Sequence, residues 1–91
     1  MTYKLKLTSQ FKKDFKRMKK RGCVPQRLKA VLDMLTTGEP LPVECQDHVL
    51  SGKYAGFREC HIQADWLLIY YIEADQLVLV CSRTGSHSDL F

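Results

Sequence analysis

Residues 57–83 read FRECHIQADWLLIYYIEADQLVLVCSR. Two polar turns, IQAD at 62–65 and EADQ at 73–76, divide the stretch into three pieces. The middle piece, WLLIYYI at 66–72, is almost unbroken apolar and aromatic. That is the composition of a central strand covered on both faces. LVLVCSR at 77–83 stays apolar until Ser82 and Arg83 and predicts the next strand. Upstream, KYAGFRECHI at 53–62 alternates loosely and predicts the first of the three, with Gly56 as a candidate bulge.

Toward the N-terminus the period changes. TYKLKLT at 2–8 sets Tyr3, Leu5 and Leu7 against Lys4 and Lys6, a half-exposed strand. SQFKKDFKRMKKRG at 9–22 places Phe11, Phe15 and Met18 on one helical stripe. Thr8 or Ser9 can cap its start and Gly22 can end it. VPQRLKAVLDMLTTG at 24–38 predicts a second helix, with Pro25 in its first turn, Leu28, Val31, Leu32 and Leu35 as its stripe, and Gly38 as its stop. The short link predicts an antiparallel helix hairpin. EPLPVECQDHVLSG at 39–52 has two prolines and no period and reads as a loop. SRTGSHSDLF at 82–91 makes a poor last strand and a poor helix. The resulting order is β-α-α-β-β-β. The fold class is α+β, a helix hairpin packed on one face of a small, largely antiparallel four-stranded sheet.

Ninety-one residues form one domain, 1–91, that buries roughly 60–65% of its unfolded surface. An apolar share of 45% with nine aromatics suits a folded globule. No apolar run approaches the roughly 20 residues of a membrane span, so no membrane partner is expected. The first residues, MTYKLKLTSQ, lack the apolar block of a signal peptide. The cysteines, at 23, 45, 60 and 81, have neither metal-knuckle nor CxxC spacing and read as reduced thiols of a cytoplasmic protein. The charge is uneven. Residues 1–30 hold eleven of the fourteen Lys and Arg against one acid, Asp14, whereas residues 31–91 hold three basic and nine acidic side chains. Such a concentrated basic element suits a polyanion, nucleic acid first among them; a merely solvated helix face is the bland alternative.

All three histidines, His48, His61 and His87, lie in the second half. Strand order predicts that Arg83 emerges beside His61, Asp65 and Trp66, with the tail continuing from the same edge. His48 joins them if the long loop folds back. An imidazole or carboxylate in such a group can take a proton from a ribose 2′-OH, and a second imidazole can give one to a leaving 5′-oxygen. An arginine can offset the charge that builds on the phosphate, and Trp66 or Phe91 can stack on a base. Together these make a metal-independent ribonuclease. Each residue also has a structural reading. Trp66 can be a core aromatic, Asp65 can start the turn or pair with Arg58, and Asp47 can orient His48 or cap the loop. Tyr54 and Phe57 read as packing residues, and Cys60 and Cys81 as strand interior.

With these residues in view, the sequence resembles the YafQ branch of the RelE/ParE toxin superfamily, whose fold is like that of the microbial ribonucleases. The resemblance rests on FKKDFKRMKKRG at 11–22, DHVLSG at 47–52, FRECHIQADWLLIY at 57–70 and RTGSHSDLF at 83–91, and so spans essentially the whole chain. It implies a type II toxin–antitoxin toxin that cleaves mRNA in the ribosomal A site with no metal or cofactor. It places the functional set on His48, His61, Asp65, Trp66, Arg83, His87 and Phe91. His87 is then the principal proton-transfer residue, while His48, His61 and Asp65 share acid–base and orienting roles. Arg83 holds the scissile phosphate, Phe91 positions, and Trp66 contacts RNA. Lys12, Lys13, Lys16, Arg17, Lys19, Lys20 and Arg21 would hold ribosomal RNA. The implied partners are the ribosome with its mRNA and a DinJ-like ribbon-helix-helix antitoxin, the latter in a heterotetramer.

The rival from another class is a ParE-like toxin, which shares the fold but poisons gyrase by binding. A histidine-rich edge argues against it, because a pure binder has no use for proton donors there. A plain RNA-binding module is the third reading; it would leave RNA intact.

Overall fold

The computed structural model describes residues 2–91. Strand β1 (Lys4–Leu7) leads through Thr8 into helix α1 (Ser9–Lys20). Of the two candidate caps, Thr8 acts: its Oγ1 accepts from the Phe11 N–H and donates to the Ser82 carbonyl, both at 3.0 Å. One hydroxyl therefore starts the helix and ties it to a distant strand. After Gly22 the chain turns into α2 (Pro25–Thr37), which has Pro25 in its first turn and ends at Gly38 in the left-handed region.

The segment 39–52, read above as a loop, contains a strand. Two short 3₁₀ turns flank β2 (His48–Val49), which pairs antiparallel with β3 (Arg58–Gln63). Then come β4 (Trp66–Glu73) and β5 (Val78–Gly85). The sheet thus has five strands, not four, in the order β1-β5-β4-β3-β2. Among the described residues only β1 and β5 pair in parallel; the other neighbours are antiparallel. Two residues of pairing are too few to leave a period in the sequence, so β2 carries no local signal.

Residues 82–91 also correct their reading. Strand β5 continues through Gly85, and α3 (His87–Leu90) adds one helical turn. A reciprocal cap starts it: Ser86 Oγ accepts from the Asp89 N–H at 3.2 Å, and Asp89 Oδ2 accepts from the Ser86 N–H at 2.9 Å. Gly85 makes this fold-back possible, since a Cβ there would stand 3.0 Å from Asp89 Cβ and Oδ2. Gly56 is not a bulge; it lies before β3 at φ +91°. The register shifts fall instead between His61 and Gln63 and between Ile69 and Tyr70.

The helices cover one face of the sheet. Phe11, Met18, Leu28, Val31 and Leu35 pack against Cys60, Trp66, Leu68, Tyr70, Leu79 and Cys81. On the other face, Leu67 and Ile69 are covered by Tyr54 and Leu90, with Leu50 and Phe57 at the margin. The first half of β4 is therefore buried on both sides, as its composition predicts. Each large side chain so buried contributes about 1.5–3 kcal/mol relative to exposure. The second cover is not a helix layer but the 50–57 connection and the tail, which brings the C-terminal residues onto the sheet. No helix among the described residues is long and apolar enough to cross a membrane.

Candidate active site

The register assembles the site. His48 pairs with Glu59, Glu59 with Ile69, and Ile69 with Arg83, so these four form one row across β2, β3, β4 and β5. Directly paired side chains share a face. His61 opposite Leu67 belongs to the next row on that face. This is the face away from the helices, and α3 folds over it.

Arg83 reaches this face through a bulge. Leu79 and Cys81 point to the helix-side core, and strict alternation would send Arg83 after them. The register shift between Ile69 and Tyr70 inserts one residue, so Arg83 pairs with Ile69 while Cys81 pairs with Tyr70. Arg83 stands opposite Ile69, and the next residue, Thr84, meets Trp66. Arg83 Nε donates to Asp14 Oδ2 at 2.7 Å and its Nη2 to Asp14 Oδ1 at 3.3 Å. The Asp14 hydrogen bond holds the guanidinium charged ever more firmly, above the usual arginine value.

The histidines converge on Glu59, which sequence reasoning passed over. The residue is only 4% exposed. Glu59 Oε1 lies 3.7 Å from His48 Nε2 and 3.8 Å from His61 Nε2. The His61 and His87 rings meet edge to face at 5.8 Å. Glu59 and His61 stand two apart in a strand, a same-face spacing that could have found the pair. His48 Nδ1 is 2.6 Å from the Gln46 carbonyl, an arrangement suited to an Nδ1–H donor with Nε2 turned to the site. Asp47 does not orient His48; it accepts from Tyr70 Oη at 2.6 Å and Arg58 Nε at 3.3 Å.

His87 is fastened by Asp65. Asp65 Oδ1 lies 3.0 Å from both the His87 backbone N and Nδ1. The backbone N–H first, then the ring contact, hold the Asp65 carboxyl below its usual pKa. An Nδ1–H donated to this carboxylate leaves Nε2 as the free proton-transfer atom. Asp65 thus neither merely starts the turn nor pairs with Arg58. Phe91 packs edge-on against Tyr54 at 5.4 Å and lies 6.3 Å from the His87 ring. Tyr54, read as a packing residue, also donates from Oη to the Leu90 carbonyl at 3.1 Å, pinning the tail.

Trp66 is corrected. It is 1% exposed, on the helix side, stacked on Phe15 at 6.4 Å, with Nε1 donating to Thr84 Oγ1 at 2.8 Å. No ring face remains for a nucleobase. Cys60 and Cys81 are buried in strands as expected, and desolvation raises both thiols, Cys81 to about 12.

On α1, Lys12, Lys13, Lys16, Lys19 and Lys20 are exposed and form no ion pair among the described residues. Lys19 Nζ rests 4.9 Å over the Phe15 ring. Arg17 and Arg21 are also exposed but already engaged. Arg21 Nη1 lies 2.6 Å from Asp89 Oδ2, and Arg17 stands between Asp14 at 3.4 Å and Asp89 at 3.9 Å. Among the described residues, Glu59, His61 and His87 offer ligand atoms within 4.8 Å of one another, a set that can hold a transition metal.

These features define a small α+β domain bearing imidazoles, carboxylates and one arginine on a face closed by its own tail. A family model described as the bacterial toxin of type II toxin–antitoxin system, YafQ, matches residues 3–91. The chain belongs to this family. It is 38% identical over 88 residues to the mRNA interferase toxin YafQ of Escherichia coli K12, covering 96% of this chain and 94% of that protein. It superposes on a metal-bound toxin from Helicobacter pylori at 38% identity and TM-score 0.91, with full coverage of both chains. It also matches a chain of the E. coli DinJ–YafQ toxin–antitoxin complex at 34% identity and TM-score 0.87, covering 100% of this chain and 99% of that one.

Proposed function

We propose that this protein is a ribosome-dependent, metal-independent mRNA interferase that cuts mRNA in the A site by general acid–base catalysis. The observation that carries the reading is the meeting of His61 and His87 edge to face at 5.8 Å, beside the buried Glu59, with His87 Nδ1 fixed by Asp65. One imidazole removes the proton of a ribose 2′-OH as that oxygen attacks the phosphorus. Another donates a proton to the departing 5′-oxygen as its bond to phosphorus breaks, leaving a 2′,3′-cyclic phosphate and a free 5′-OH. His87 is the principal proton-transfer residue, with His48, His61 and Asp65 in acid–base and orienting roles. Arg83 holds the scissile phosphate. Glu59 balances the imidazolium formed in either step, and Phe91 sets the mouth of the site.

The exposed lysines of α1 supply the electrostatic grip on ribosomal RNA. The relatives' complexes support an antitoxin partner of the DinJ type, and a heterotetramer built on an antitoxin dimer is its proposed form. The H. pylori relative's bound metal is compatible with a metal-free reaction here. A metal on Glu59, His61 and His87 would occupy the imidazole lone pairs that proton transfer needs. A gyrase-binding role leaves this group of proton carriers without a purpose.

Primer extension on a reporter mRNA in a reconstituted translation reaction tests the reading, comparing wild type, His87→Ala and no protein, with and without ribosomes. In-frame breaks that need ribosomes, survive a chelator selective for transition metals with Mg²⁺ held constant, and vanish in His87→Ala are the expected result. Intact mRNA with wild-type protein refutes it. Cleavage abolished by the chelator refutes the metal-independent step.

A further inference from the structure

Asp14 is the one acid among the eleven basic side chains of residues 1–30, and it is 1% exposed. A buried carboxylate in a helix whose other charged residues are all lysine or arginine is costly unless its charge is fully engaged. Its partners show what engages it. Oδ2 accepts from Arg83 Nε at 2.7 Å and from the Thr84 backbone N–H at 3.2 Å. Oδ1 accepts from Gln10 Nε2 at 2.9 Å, Arg83 Nη2 at 3.3 Å and Arg17 Nη2 at 3.4 Å. Strand β1 stops pairing with β5 at Cys81, so Asp14 takes the place of a ladder acceptor for Thr84.

An arginine recognises phosphate through a planar fork, and that fork is useful only if it is aimed. Here the Nε–Nη2 edge is clasped by one carboxylate, and Arg83 stands opposite Ile69 in the row that carries Glu59 and His48. A helix facing that carries Asp14, Arg17 and Arg21 continues the same pattern to the tail, since Arg17 and Arg21 both face Asp89 of α3. The two ends of the site, Arg83 and the tail bearing His87, are thus referenced to one face of α1.

We propose that Asp14 is the positioning residue that aims Arg83 at the scissile phosphate, so that the basic helix orients the reacting group as well as binding RNA. This rests on the ribonuclease reading above, in which Arg83 meets that phosphate. Asp14 touches no substrate. Its effect passes through Arg83, so removing it should slow the chemical step without weakening capture by the ribosome.

Single-turnover cleavage of mRNA on programmed ribosomes gives the limiting rate and the half-saturating toxin concentration separately. Arg83→Ala should lower the limiting rate. Asp14→Asn, which keeps the shape and removes the charge, should lower it by about 10- to 10²-fold and leave half-saturation within about threefold of wild type. The double variant should be no slower than Arg83→Ala alone, because the two act as a unit. If Asp14→Asn cuts at the wild-type rate while Arg83→Ala is slow, the inference fails and the ribonuclease reading stands. Losses that multiply in the double variant also overturn it. If Arg83→Ala is as fast as wild type, the assigned role of Arg83 falls and takes the inference with it. Should Asp14→Asn not fold, ¹⁵N NMR of the wild-type protein decides. The Arg83 Nε–H should resist solvent exchange, and exchange as free as that of exposed Arg27 overturns the proposal.

Discussion

The two faces of β4 divide the molecule's work. Trp66, Leu68 and Tyr70 lie under the helices, in a core built from two amphipathic stripes and three strands. Leu67 and Ile69, on alternate positions of the same strand, lie in the floor of the histidine site, under Tyr54 and Leu90. The first face is sealed by elements with strong sequence patterns. The second is sealed by one turn of helix and a connecting segment, and around that thin cover the ionisable side chains remain reachable. Stability is concentrated on one side of the strand and chemistry on the other.

The sharpest way to break this division is a pair of substitutions. His87→Ala should cost 10²- to 10⁴-fold in cleavage with no change in melting temperature, because its side chain is exposed. Trp66→Ala should cost about 3–5 kcal/mol in urea unfolding, with cleavage lost only as the folded fraction falls. A stable Trp66→Ala protein that no longer cuts would place Trp66 in the chemistry and dissolve the contrast.

Leu90→Ala comes next, because Leu90 holds the thin cover. Hydrogen exchange should show the amides of residues 86–91 losing protection while those of β4 keep theirs. Cleavage should fall about tenfold or more, since His87 is no longer fixed over His61. Equal loss of protection throughout would mean that the tail and the main core unfold as one.

Acid sharpens the comparison more gently. Burial alone would raise Asp14, but Arg83, Gln10 and the Thr84 N–H overcome it and hold the carboxyl below 3.8. Arg21 first, then Ser86, lower Asp89 further. Both folded values lie below the unfolded ones, so each contribution to stability is complete above about pH 5 and is lost as pH falls through the lowered values. Melting curves from pH 5 to 2 should therefore decline, and Asp89→Asn should decline less steeply than wild type. Identical slopes would show that the tail's ion pair adds nothing. The smallest effect concerns thiols. Native Cys60 and Cys81, buried with raised pKa, should resist an aromatic disulfide reagent that labels half-buried Cys23, and all should react in denaturant.

Much of the fold was readable because its signals are local. Phe11 and Met18 recur at helical spacing, Gly38 ends α2, and the apolar run at 66–70 is a strand buried on both sides. Strand β2 and α3 were not, since two and four residues carry no period. Of the site, the convergence of His61 and His87 followed from strand order, and His48 joins through the pairing of β2. Glu59 and Asp14 were missed, because an acid beside a cysteine or among lysines looks solvated until burial is known.

The sequence by itself determined the order of the longer elements, the two helical stripes, the doubly covered strand and the supply of proton-transfer groups, since each depends on residue type and short-range spacing. Only the tertiary structure decided which face those groups share. One inserted residue opposite Ile69 and Tyr70 turns Arg83 from the helix side to the histidine side, and side-chain direction inverts with each single-residue shift of register. That register is fixed by contacts between strands distant in sequence, so it is written in the fold and not in any one stretch of it.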